Sequence, residues 1–255
     1  MLDEVANVRD LGGLPASEGM TRPGVLVRSA GLGELTDRGR HQLTRLSVGT
    51  VVDLRTSSEG PADDLPNLEV IRLPLLEGAW DLSGLADGAV SAQALATIPT
   101  LPDLYAGMIS NGGPTFARLA AIVAGSDHAV LIHCTAGKDR TGVAVALLLD
   151  AVGTDRSAVV ADYAASHDQL SGVWADGMRH ALARLGVPDL PEIDALMTAS
   201  PASAIESVLD RLDAHGGSLA YLTGNGLSAN QDFSSYRLFH PIGTFSIDQA
   251  NTLGK

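Results

Sequence analysis

The apolar positions in the first half of the chain fall into short β-rich runs, separated by longer stretches with helical spacing. The runs are Val25-Leu26-Val27, Val48 to Leu54, Leu68 to Leu73 and Ala129 to His133. The last is uniformly apolar, the pattern of a strand buried on both faces of a parallel sheet. Between them, Leu35 to Leu46 carries leucines at helical spacing, with Thr36 placed to cap its start. Tyr105 to Ser110 and Phe116 to Ala124 also read as helices, the second beginning just after Pro114. Thr141 to Val152 is a strongly apolar helix that ends at Gly153. Strands alternating with helices predict an α/β fold with a mainly parallel central sheet.

Beyond Asp155 the strand signal disappears. Ser157 to Ser166, Trp174 to Leu185 and Ala202 to His215 read as helices only, a cover over the sheet (about 155–215) or a lid. Leu76 to Thr100 is rich in Gly and Ala and reads as a loop or mobile helical insert; with the helix that follows, it predicts an insert or lid over about 76–112. Residues 1–240 are expected to form one domain. Residues 241–255 show no periodicity and are expected to lie outside the fold, as a frayed tail or a segment foreign to the native chain.

Composition sharpens this picture. Hydrophobic residues are 45% and charged residues 18%, enough for a sizeable core; aromatics are only 4%, so Ala, Val and Leu must fill it. The net charge of −13 argues against general binding to nucleic acid or anionic membranes. A local cluster of N–H groups and one or two cations still suffices for a small phosphate site. The single cysteine excludes an intramolecular disulfide and any metal site built on several thiolates. A reducing, cytoplasmic setting is expected. The N-terminus has no secretory pattern, so any export would go without a signal peptide, and the apolar run Val143 to Leu149 is too short to span a bilayer.

That one cysteine stands where chemistry is expected. A strand ending at Cys134 and turning into a helix at Thr141 puts the sulfur above a helix N-terminus, whose unpaired N–H groups bind anions and favour thiolate over thiol. Arg140 adds a permanent cation with parallel donors for phosphate oxygens. Gly137 lets the backbone curl so that successive N–H groups form an anion nest, and Gly142 allows close helix packing. The residues Thr135, Ala136, Gly137, Lys138, Asp139 and Arg140 therefore predict a cup for one tetrahedral dianion, with Cys134 at its base. Thr141 is placed to donate its hydroxyl to the sulfur, and His133 to orient the loop.

His133-Cys134, five residues, Arg140 and then Thr141 resembles the protein tyrosine phosphatase signature. More narrowly, the chain resembles the bacterial tyrosine phosphatase family with an Ala-Gly-Lys-Asp-Arg loop. That family includes secreted members and dual-specificity or phosphoinositide phosphatases. Asn7 to Gly13, Val27 to Ala30, Val51 to Arg55 and Asp162-Tyr163 look like its further landmarks, so the resemblance covers roughly Asn7 to Ser166. It implies a three-layer phosphatase-type fold and a two-step phosphocysteine mechanism without metal or other cofactor. The expected substrates are phosphotyrosyl proteins, with phosphoserine and phosphothreonine as further candidates; phosphate is the product.

The leaving oxygen needs a proton. No Trp-Pro-Asp tripeptide occurs, so three aspartates compete in the order Asp139, which matches the family loop, Asp53 at a strand end, and Asp81. Arg55 is a substrate-binding candidate or a structural partner of Asp53. A cation at Lys138 resembles lipid phosphatases and raises the alternative of a phosphoinositide substrate. Arg28 stands between loop support and substrate contact, and Arg9-Asp10 favours a structural turn. Two rival functions are a rhodanese-type sulfurtransferase, which lacks this His-Cys…Arg-Thr arrangement, and an inactive phosphate-binding module, against which Cys134 and Arg140 both argue. Taken alone, Cys134 after an apolar strand would be a small buried hydrophobe; the company of Gly137, Arg140 and Thr141 sets that reading aside.

Overall fold

The computed structural model describes residues 5–17, 19–33, 35–76, 100–184, 194, 197–228 and 239–241. Its strands are β1 (Arg9–Asp10), β2 (Pro15–Ala16), β3 (Gly19–Thr21), β4 (Leu26–Ser29), β5 (Val48–Asp53), β6 (Glu69–Arg72), β7 (Ala129–His133) and β8 (Phe239–Pro241). Its helices are α1 (Asp37–Arg45), α2 (Leu101–Asn111), α3 (Gly113–Gly125), α4 (Asp139–Ala151), α5 (Arg156–Ala164), α6 (Ser166–Gln169), α7 (Val173–Arg184), α8 (Ala202–Asp213) and α9 (Gly217–Gly224). The central sheet runs β1-β4-β7-β5-β6. Only β1 is antiparallel to its neighbour; β4, β7, β5 and β6 are parallel. The α/β fold with a mainly parallel sheet is as expected.

Side-chain alternation along the strands divides the core into two layers. Val130 and Ile132 of β7, with Leu26 and Val52, face the helices α2 to α5, α8 and α9. Ala129 and Leu131, with Val27 and Val51, face Leu43 of α1. Helix, sheet and helix thus make three layers. Thr36 caps α1 as expected, its hydroxyl accepting from the N–H of Gly39 at 3.1 Å. α4 is buried around almost its whole circumference, which accounts for its unbroken apolar sequence. α5 and α8 contribute Val159, Tyr163, Ile205 and Leu209 to the same core, so these helices cover the sheet.

The domain limit at 240 falls inside β8, where His240 pairs with Met20 of β3, so the chain at 239–241 is a strand. The small sheet β2-β3-β8 has no counterpart in the hydropathy pattern. Of the expected insert over 76–112, α2 is helical and 77–99 lies outside the described residues, as does 242–255. No helix among the described residues is long and apolar enough to cross a membrane.

Candidate active site

β7 delivers His133 and Cys134 to the end of the sheet, and α4 starts five residues later at Asp139. The connecting loop is held from behind by its carbonyls. Thr135 O accepts from Gly31 N at 3.0 Å. Ala136 O accepts from Asn7 Nδ2 at 3.1 Å. Gly137 O accepts from Asn7 Nδ2 at 2.9 Å and from Arg28 NH2 at 2.6 Å. Across a trans peptide the carbonyl and the next N–H point in opposite directions. Pinning these three carbonyls therefore turns the N–H groups of Ala136, Gly137 and Lys138 to the other side, the arrangement of an anion nest. Gly137 has φ of +66°, and a Cβ there would lie 2.2 Å from the Ser29 carbonyl oxygen, so only glycine fits.

The pins are themselves fixed. Asn7, at φ +56°, accepts from Arg9 NH1 at 2.5 Å through Oδ1. Asp162 takes Arg9 Nε on one oxygen and Arg28 NH1 on the other, both at 2.5 Å. Burial works against the Asp162 charge, but the two guanidiniums outweigh it and hold the carboxyl below its usual range. Asp10 closes the preceding turn by accepting from the N–H groups of Gly12 and Gly24, each at 2.7 Å. The segment Asn7 to Gly13, Arg28 and Asp162 are thus parts of one frame behind the loop. Of the two roles open to Arg28, the structure gives it loop support.

In front, Arg140 meets a partner that the sequence did not reveal. Glu59 accepts from Arg140 NH1 through Oε2 and from NH2 through Oε1, the latter at 2.7 Å. Thr135 donates its hydroxyl to Glu59 Oε1. Glu59 ends the short turn Ser57–Glu59, and its Oε2 also accepts from Thr56 N at 2.9 Å and from Thr56 Oγ1 at 3.0 Å. Thr56-x-x-Glu59 is capping-box spacing and was the available signal. Burial opposes the Glu59 charge, but Arg140 and Thr135 bring its pKa down to about 2. For Arg140, burial is outweighed by Glu59 and by the field of Cys134, so its pKa is raised. Beside them opens a cleft of about 530 Å³, mouth included, lined by Thr56, Glu59, Leu76, Leu104, Met108, Asp139 and Arg140. Cys134 is 2% exposed and lies off this wall.

Residues 1–233 match the model of the tyrosine phosphatase family. The chain belongs to that family. It is 35% identical over 175 residues to the triple specificity protein phosphatase PtpB of Mycobacterium tuberculosis, covering 58% of this chain and 63% of that protein. A tyrosine-protein phosphatase of Nostoc commune is 34% identical over 161 residues, 61% of this chain and 52% of that one. The putative tyrosine-protein phosphatase H16_A0669 of Cupriavidus necator is 29% identical over 222 residues, 85% of this chain and 80% of its own. The chain therefore spans under two thirds of the first two relatives.

Within this member of the tyrosine phosphatase family the expected site residues separate into two groups. Cys134, Thr135, Ala136, Gly137, Asp139 and Arg140 are brought together around the loop. Asp139 lies on the cleft wall and accepts from Tyr105 Oη at 2.6 Å. Tyr105 Oη is also 2.6 Å from Tyr163 Oη; because the Tyr105 proton goes to Asp139, Tyr163 is the donor of that second bond. His133 is wholly buried, and its Nδ1 donates to the Cys134 carbonyl at 3.2 Å, the orienting role expected of it.

Of the two roles open to Arg55 the structural pairing with Asp53 is the one that forms, and the roles expected of Asp53, Lys138 and Thr141 are corrected. Asp53 is fully buried and is grasped by Arg55 through its backbone N–H, Nε and NH2. Burial opposes its charge, yet Arg55 and His133 hold its pKa low, so it keeps its charge and is a poor proton donor. Arg55 is spent on Asp53 and Asp63 and is not on the cleft wall. Lys138 is wholly buried; its ammonium donates to Ala199 O at 2.9 Å and lies 3.5 Å from Asp139, so it does not face an incoming substrate. The buried Thr141 hydroxyl has no hydrogen-bond partner among the described residues, so the expected bond to sulfur is not made here. Asp81 lies outside the described residues. Among those residues no cluster of His, Cys, Asp and Glu has the arrangement of a metal site.

Proposed function

We propose that this chain hydrolyses the phosphomonoesters of phosphotyrosyl proteins through a phosphocysteine at Cys134. The observation that carries the reading is the loop with three carbonyls pinned outward between Cys134 and Arg140. In the first step the sulfur attacks phosphorus, an S–P bond forms and the P–O bond to the tyrosyl oxygen breaks. The tyrosyl oxygen leaves with a proton from a carboxylic acid. In the second step water attacks phosphorus and gives a proton to the carboxylate left by the first step, the S–P bond breaks with its electron pair returning to sulfur as thiolate, and phosphate departs. The N–H groups of the nest and Arg140 carry the charge of the equatorial oxygens in both steps. Asp139 is the proposed acid, because it stands on the cleft wall beside Arg140.

The apolar side chains of Leu76, Leu104 and Met108 on the same wall suit an aromatic leaving group. Activity toward phosphoserine and phosphothreonine is a natural extension of the same chemistry. The name of PtpB speaks of triple specificity, but the phosphoinositide reading of this chain rested on Lys138, whose burial gives it no support.

The test is a panel of phosphotyrosine, phosphoserine and phosphothreonine peptides and soluble phosphoinositides, run alongside Cys134→Ser and Asp139→Ala. Phosphotyrosine should be the preferred substrate. Cys134→Ser should abolish turnover while retaining phosphopeptide binding, and Asp139→Ala should lower turnover by about 10²–10⁴. Turnover surviving Cys134→Ser would exclude the proposal.

A further inference from the structure

The reaction proposed above uses Arg140, but nothing in it accounts for the carboxylate that already holds this side chain. A guanidinium carries five N–H groups. Glu59 takes one on NH1 and one on NH2. The N–H of Nε and a second N–H of NH2 lie along the remaining edge, the parallel pair that suits two phosphate oxygens; before a ligand arrives, NH2 also donates a long bond of 3.4 Å to Thr135 Oγ1. An exposed arginine would lose rotamer freedom on binding phosphate; one whose outer edge is already clamped has lost it beforehand.

The clamp is itself built. Five donors converge on the two Glu59 oxygens, from Thr56, Thr135 and Arg140. Behind the turn, Arg72 at the end of β6 donates through NH2 to Thr56 O at 2.9 Å and to Gly60 O at 2.5 Å. Those carbonyls flank Ser57–Glu59 on either side, so Arg72 ties both ends of the turn to the central sheet. A line of contacts therefore runs from a sheet residue to the anion-binding guanidinium, through groups that meet no substrate in the mechanism above.

We propose that Glu59 is a positioning residue that sets the Arg140 guanidinium for phosphate, and that Arg72 acts through Glu59 by fixing the turn Thr56–Gly60. This deepens the reading of the site as a phosphate cup and rests on it. Glu59 keeps its charge down to about pH 2, so the clamp persists through the working range.

The experiment uses the full chain with Glu59→Ala, Glu59→Gln, Arg72→Ala and the double variant Glu59→Ala/Arg72→Ala. Calorimetry measures binding of inorganic phosphate, and p-nitrophenyl phosphate gives kcat and KM. Glu59→Ala should weaken phosphate binding about tenfold, with kcat falling along with it. Glu59→Gln preserves size and one acceptor oxygen, so it should restore part of the loss; it also guards against a variant that simply unfolds. Arg72→Ala should weaken phosphate binding less, and should add nothing in the Glu59→Ala background. Phosphate binding that is unchanged or tighter without Glu59 would overturn the proposal, the tighter case showing that the carboxylate competes with phosphate for the cup. An Arg72→Ala effect that adds in full to Glu59→Ala would remove Arg72 from the account. Phosphate binding needs no turnover, so a wild-type protein that binds phosphate yet hydrolyses nothing would sink the catalytic reading while leaving the clamp measurable.

Discussion

Asp162 forms no part of the chemistry, yet Arg9 and Arg28 both rest on it, and Arg28 in turn holds the Gly137 carbonyl. Neutralising it leaves the wholly buried Arg28 and the half-buried Arg9 without their counter-charge. Asp162→Asn is expected to cost about 3–5 kcal/mol of stability and to weaken phosphate binding through the loop. Because the folded pKa of Asp162 is lowered, its contribution is fully present above the unfolded value of about 3.9 and is lost as pH falls through the folded value. Denaturant melts below pH 5 should therefore show a shallower loss of stability in the variant than in the wild type; equal slopes would contradict the assignment. At this scale the sequence was readable where spacing constrains chemistry, as from His133 to Gly142. It was unreadable for Glu59, because Thr-x-x-Glu after a strand marks a capped turn and says nothing of where its carboxylate points. Asp53, Arg55 and Lys138 had the right residue types near the right strand ends, but their side chains turn inward to one another or to backbone, which only the folded chain decides.

Among the elements, the unit β7–loop–α4 was legible almost to the residue, since a uniformly apolar strand and an all-round apolar helix leave few alternatives. β1, β2, β3 and β8 were not legible: each is two or three residues long and held by pairing rather than by its own pattern. α2 is the element that brings the surrounding layer to the chemistry, through Tyr105. Burial, with the nearby Asp139 charge, raises the pKa of this phenol, so it stays a donor to that carboxylate. Tyr105→Phe removes the hydrogen bond to Asp139 and leaves Tyr163 without its acceptor. Stability in denaturant melts is expected to fall by about 1–3 kcal/mol. A variant as stable as the wild type would show that the chain from Tyr163 through Tyr105 to Asp139 carries no net stabilisation.

Over the whole molecule, a chain of net charge −13 collects Arg9, Arg28, Lys138 and Arg140 around one loop. Asp162, Asp139 and Glu59 offset most of that charge. What remains for a ligand is a set of directed N–H groups rather than a basic surface. This reconciles an acidic protein with an anionic substrate and disfavours docking on an anionic membrane. In the proposed reaction phosphorus passes through the one cysteine thiol of the chain, at the end of β7. Wild-type protein mixed with a phosphotyrosine peptide, quenched in acid within one turnover and digested, should yield a Cys134 peptide heavier by one phosphoryl group in mass spectrometry, a species that vanishes as turnover completes. Rapid hydrolysis with no such adduct on Cys134, and phosphorylation on another residue instead, would contradict the account.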